Sequence, residues 1–69
     1  MDQTFEISGE YIELIKLLKA SGLVGTGGQA KMVVEDELVS VDGKVETRKR
    51  RKVKPGMVVI YDTHIINVE

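Results

Sequence analysis

Between residues 44 and 54 the chain reads KVETRKRRKVK, which places seven basic side chains (Lys44, Arg48, Lys49, Arg50, Arg51, Lys52 and Lys54) beside one acid, Glu46. That stretch carries +6. The remaining residues hold three bases and ten acids and carry −7, so a net charge of −1 and a pI near 5.8 conceal a bipolar molecule. Arginine can clasp a phosphate with two parallel hydrogen bonds and lysine acts as a mobile point charge, so this mixture suits a phosphate backbone more than base edges. The competing reading is a solvated loop or a localisation peptide. Placement inside a fold, between a hairpin and a strand, favours phosphate, because like charges gathered in a folded segment need an anion to offset their repulsion.

Gly27, Gly28, Gln29 and Lys31 form a second candidate group. Thr26 and Gln29 have the T-x-x-Q form of a capping box, which starts a helix. The first turn of that helix offers open amides and a positive dipole end, bare glycines admit an anion closely, and Lys31 lies one turn on. GTGGQAK falls short of the G-x-x-x-x-G-K-[ST] phosphate loop, so nucleotide hydrolysis is not expected. Lys16 and Lys19 read first as complements to a helix end with Glu13 as partner, and Lys44 adjoins a turn; these three are lesser candidates for the same surface. Lys54 reads as a strand-edge charge.

His64 is the single histidine and has no second ligand type beside it, so it reads as a surface strand residue, and neither a metal site nor a cofactor is expected. Glu35, Asp36 and Glu37 read as a solvated acidic face that would steer an anionic partner to the other side. No nucleophile-base pair is present, and an enzyme is not expected. The aromatic residues, Phe5, Tyr11 and Tyr61, are scattered and mostly at inward-looking positions. A stacking platform for single strands is thus lacking, and folded nucleic acid recognised by shape and backbone fits better.

The elements that must position these residues are those of one small domain, residues 1–69. A domain of this size buries only about 60% of the surface its unfolded chain exposes, which leaves room for one modest core and no deep cavity. With 42% hydrophobic and 30% charged residues the composition is that of a folded soluble domain. The absence of cysteine leaves stability to apolar packing. No window approaches the roughly 18 apolar residues of a membrane span, and the acidic start is unlike a signal peptide, so a cytoplasmic location is expected.

Alternation predicts a strand over 4–7, followed by Ser8 as N-cap of a helix over 9–20 with Glu10 and Glu13 in its first turn. Tyr11, Leu14, Ile15 and Leu18 would face inward, and Gly22 would stop the helix. The second helix begins at Thr26, with Ala30, Val33 and Val34 inward and Gly27, Gly28 and Lys31 opposite. From Leu38 the period changes to two, with Val39 and Val41 on one face and an Asp42-Gly43 turn into Lys44 and Val45. Pro55-Gly56 makes a turn, and strands follow over 57–61 and 64–68. The order is β-α-α-β-β-β-β.

Three segments in sequence, GGQAK (27–31), VSVDGKVETRKRRKV (39–53) and KPGMVV (54–59), resemble the S-four RNA-binding domain, also called the αL motif. The resemblance spans about residues 11–60 and is to the small stand-alone bacterial members. It implies an α+β fold in which two helices and a β-hairpin pack on a small, mostly antiparallel sheet and present a basic surface to structured RNA, ribosomal by family analogy. It also implies that Lys16, Lys19 and Lys44 join that surface. Two positions depart from the pattern: Gly27 stands where larger members have an arginine, and Glu37 where the family favours glycine. The expected function is non-catalytic RNA binding by a ribosome-associated monomer acting in translation. The alternative is a protein-interaction module that docks an acidic partner or a ribonucleoprotein. Alanine at Arg48, Arg50 and Arg51 is expected to remove most affinity and leave the fold intact, since these side chains are predicted to lie in solvent.

Overall fold

The computed structural model describes residues 2–69. Its elements are β1 (Asp2–Phe5), β2 (Ile12–Glu13), α1 (Leu14–Ala20), α2 (Gly27–Glu35), β3 (Val39–Val41), β4 (Lys44–Val45), β5 (Lys52–Val53), β6 (Val58–Tyr61) and β7 (His64–Val68). Five strands form a sheet in the order β1-β7-β6-β3-β4, and β2 pairs with β5 in a separate ribbon. Every pairing is antiparallel except β1 with β7. The expected α+β architecture stands, with β2 and β5 as additional short strands.

Period-two alternation builds the sheet's inner face. Val39 and Val41 register with Tyr61 and Val59, and Val59 with Ile66, so one row of β-branched side chains meets the helices. Leu14, Leu17 and Leu18 of α1, Ala30, Val33 and Val34 of α2, and Val53 of β5 close the core over it. Burial of such a side chain contributes about 1.5–3 kcal/mol. β5 is therefore pinned beneath the helices by Val53, whose neighbour Lys52 is exposed.

The first helix differs from expectation. It starts at Leu14, and residues 12–13 are extended because Ile12 pairs with Val53 and Glu13 with Lys52. Ser8 does not cap it, and Glu13 occupies the N-cap position without a side-chain hydrogen bond. The first amides are satisfied from across the molecule: Leu14 N–H donates to the Arg51 carbonyl at 2.9 Å and Ile15 N–H to the Lys49 carbonyl at 3.2 Å. Tyr11 consequently lies outside the helix and is exposed, while Leu17 takes a buried position. Likewise the first strand covers residues 2–5 where 4–7 was expected, although Ile7 N–H reaches the Glu69 carbonyl at 2.9 Å and prolongs the pairing.

α2 follows its caps. Thr26 Oγ1 accepts from Gln29 N–H at 3.0 Å, and Gln29 Oε1 accepts from Gly25 N–H at 3.0 Å, one residue before the amide of a standard capping box. At the other end Leu38 N–H donates to Val33 O and Glu37 N–H to Val34 O, the Schellman pair of bonds, which puts Glu37 at φ 61. In the β3–β4 turn Asp42 (φ 52) and Gly43 (φ 85) both take the left-handed conformation that a type I′ hairpin requires. Asp42 is clamped to β6, its N–H donating to Val58 O and its Oδ1 accepting from Val58 N–H, both at 2.8 Å.

Candidate nucleic-acid interface

Glu46 N–H donates to Val39 O at 2.9 Å, one step past the Ser40–Val45 pair, so strand alternation turns the Glu46 side chain to the inner face. Only 9% of the residue remains exposed. A buried carboxylate is costly unless paired and hydrogen-bonded, and the next turn of chain supplies the partners. Arg48 donates to Oε2 from its backbone amide at 3.1 Å and from Nε at 2.9 Å, and to Oε1 from Nη2 at 3.2 Å. Arg51 Nε stands 3.5 Å from Oε1; this buried nitrogen has no hydrogen-bond acceptor among the described residues and is held by charge alone. The Arg48 hydrogen bond holds the Glu46 carboxyl below its usual range, against the opposing effect of burial, and the same bond raises the Arg48 guanidinium.

The expectation that these side chains lie in solvent holds for Arg48 and is corrected for Arg51. Arg48 keeps 70% of its side chain exposed but commits one edge of the guanidinium to Glu46, and Arg51 is only 32% exposed. Arg50 is exposed as expected. Lys49 Nζ lies 3.2 Å from Glu35 Oε2, which ties the basic run to the C-terminal end of α2. The acidic stretch is thus partly engaged and not simply a solvated face. Lys31 precedes Glu35 by four residues and so shares its helix face. The tie is made at the C-terminal end of α2, with Lys31 one turn before it and Gly27 and Gly28 at the opposite end of the helix.

Arg48, Arg50, Arg51 and Lys52 line a groove of about 340 Å³ whose lining includes no acidic residue. Lys52 Nζ also stands over the Tyr11 ring, 5.0 Å from its centroid. Of the lesser candidates, exposed Lys16 pairs at 3.8 Å with Glu13, which registers with Lys52; Lys19 closes the last turn of α1, and Lys44 is exposed beside the hairpin turn. Gly27 and Gly28 open α2, and their amides have no acceptor among the described residues. A Cβ at Gly27 would meet nothing within 4 Å, and one at Gly28 only Thr26 Oγ1 at 3.9 Å, so packing does not require glycine at either place. Gln29 serves the cap through its side-chain oxygen. Lys54 is exposed after β5, and His64 is half-buried opposite Tyr61.

Sequence reasoning missed Tyr11 and Glu46. Glu46 was legible only through the hairpin register, since a two-residue Asp42-Gly43 turn sets it opposite inward-facing Val39, whereas the Lys-Val-Glu pattern by itself would turn Val45 inward. Tyr11 was not: its three-residue spacing from Leu14 mimics a helix face, and only the pairing of residues 12–13 with 52–53 displaces it.

The S4 domain model matches residues 5–69. YbcJ of Escherichia coli (strain K12), which bears the name "Putative RNA-binding protein YbcJ", is 43% identical over 58 residues, covering 84% of this chain and 83% of that protein. YbcJ of Shigella flexneri gives the same figures. The solution structure of Escherichia coli YbcJ, described as revealing an αL motif involved in RNA-binding, superposes with a TM-score of 0.73 at 41% identity, covering 94% of this chain and 84% of that one. Fold, motif order and sequence agree, and the chain belongs to the S4 domain family.

Proposed function

We propose that this protein binds structured RNA without catalysing a reaction, gripping the phosphate backbone through the basic run. The observation that carries this reading is the groove of Arg48, Arg50, Arg51 and Lys52, in which four cations converge on one surface and the single acid among them, Glu46, lies buried behind Arg48 and Arg51 and outside the lining. The name of Escherichia coli YbcJ, "Putative RNA-binding protein YbcJ", and the description of its αL motif as involved in RNA-binding support it. Glu46 holds two of the four arginine and lysine side chains in place before any ligand arrives, which lowers the ordering cost of binding. The second contact in this proposal is the face of α2 bearing Gly27, Gly28 and Lys31, with Lys16, Lys19 and Lys44 as peripheral charges. Ribosomal or ribosome-associated RNA is the proposed partner, met in the cytoplasm by a monomer.

Crosslinking of the tagged protein to RNA by ultraviolet light in its native cells tests the reading, with an Arg50→Ala/Lys52→Ala variant as control. These two side chains are exposed and make no ion pair among the described residues, so the variant retains the fold. A discrete peak on one structured RNA that disappears in the variant is expected. Recovery equal in both proteins, or a complex that survives nuclease, would instead assign the charges to an acidic protein.

A further inference from the structure

We infer that the surface beside the cationic groove is a base-binding subsite, which receives the base of one unpaired nucleotide while its phosphate lies among Arg48, Arg50, Arg51 and Lys52. The inference rests on the RNA-binding reading above and specifies the kind of RNA. A cleft of about 190 Å³ is lined by Phe5, Glu6, Ile7, Ser8, Tyr11 and Ile12. It is apolar at Phe5, Ile7 and Ile12, and carries an exposed carboxylate and a hydroxyl from Glu6 and Ser8. An aromatic base is a planar apolar body with hydrogen-bonding edges, and such a lining matches both parts.

Two contacts join this cleft to the groove. Glu13 and Ile12 of β2 pair with Lys52 and Val53 of β5, so the cleft is on the β2 side of the ribbon and the groove on the β5 side. Tyr11 stands at the junction, 42% exposed, with the Lys52 ammonium over its ring. An exposed tyrosine flanked by a cation is the equipment for stacking a base whose phosphate is held one residue away. Sequence spacing had assigned Tyr11 to the interior, and the structure returns it to the surface next to the charge. A fully paired helix keeps its bases stacked and cannot fill the cleft, so the preferred ligand is a duplex interrupted by a bulged or flanking nucleotide.

The test uses three hairpin RNAs of one stem sequence at low salt: one with a single bulged guanosine, one with an abasic residue at the bulge, and one fully paired. Fluorescence anisotropy with the whole protein is expected to give about tenfold tighter binding to the bulged guanosine than to the abasic RNA, within the range found for base–aromatic stacking. Tyr11→Phe should keep that ratio and Tyr11→Ala should abolish it. The chain has no tryptophan and two tyrosines, so in a Tyr61→Phe background the emission reports Tyr11 alone and should be quenched by the bulged RNA and not by the abasic one. Equal affinity of the wild-type protein for all three RNAs, with steep salt dependence retained, overturns the subsite and leaves backbone binding standing. Failure to bind any of them overturns both.

Discussion

Replacing Glu46 by glutamine removes the charge that Arg48 and Arg51 share while nearly preserving the side chain's shape. The carboxylate is buried and accepts three hydrogen bonds from Arg48, so Glu46→Gln should cost about 1–3 kcal/mol of stability, measured by urea unfolding. RNA affinity should fall as well, although Glu46 makes no contact with the ligand in this scheme. The sign of the pH dependence follows from the lowered folded-state pKa. The pair's contribution is fully present above the ordinary glutamate value of 4.5 and is lost as pH falls through the lower folded value. Acid unfolding of the wild type should therefore steepen below that value, and the glutamine variant should lack this component. Alanine at both Arg48 and Arg51 strands the same carboxylate, so a lower melting temperature is expected where sequence reasoning expected an undisturbed fold. Glu37 offers the opposite case. Its left-handed backbone at the end of α2 favours glycine, and Glu37→Gly should raise stability by about 1 kcal/mol.

At the scale of elements, α1 relies on the basic run for its start. Carbonyls of Arg51 and Lys49 accept from Leu14 and Ile15, so the Leu14 amide should resist hydrogen exchange despite lying in the first helical turn, where amides ordinarily have no backbone partner. Val53→Ala, which loosens β5, should speed that exchange and weaken RNA binding together. α2 is organised differently, with its caps supplied locally. Alanine at Gly27 or Gly28 has room and should add about 0.5–1 kcal/mol of helix stability. If the exposed amides there meet phosphate, affinity should drop as stability rises; unchanged affinity in titrations with RNA would remove this end of α2 from the interface. The contrast explains what the sequence disclosed. Thr26, Gln29 and the Asp42-Gly43 turn act on neighbours a few residues away, and α2 and the β3–β4 hairpin were legible from them. The boundaries of β2 and α1 depend on Lys52 and Val53 some forty residues downstream, which no local pattern reveals. The cationic groove was legible as composition, whereas its internal order depends on Glu46 and its flank on Tyr11.

Across the whole molecule, opposite charge is segregated by chain segment; among the described residues the run pairs internally through Glu46 with Arg48 and Arg51, and it is joined to the acidic remainder by Lys49 with Glu35. The four groove cations predict a slope of log affinity against log salt of about −3 to −4, with some 0.7–0.9 per phosphate contact. The Arg50→Ala/Lys52→Ala variant should reduce that slope by about 2 in parallel titrations. The manner in which the run caps α1 has a separate implication for how this surface can change. Carbonyl oxygens are common to every amino acid, so the helix start is indifferent to which side chains stand at 49 and 51, provided the backbone path is kept. Partner choice can thus be rewritten at positions 50 and 52, and in part at 49, without redrafting the architecture, while Glu46 and Val53 act as fixed points. A saturation library sorted for foldedness alone should accept nearly any residue at 50 and 52 and very few at 53, marking the run as an interchangeable reading head on a constant frame.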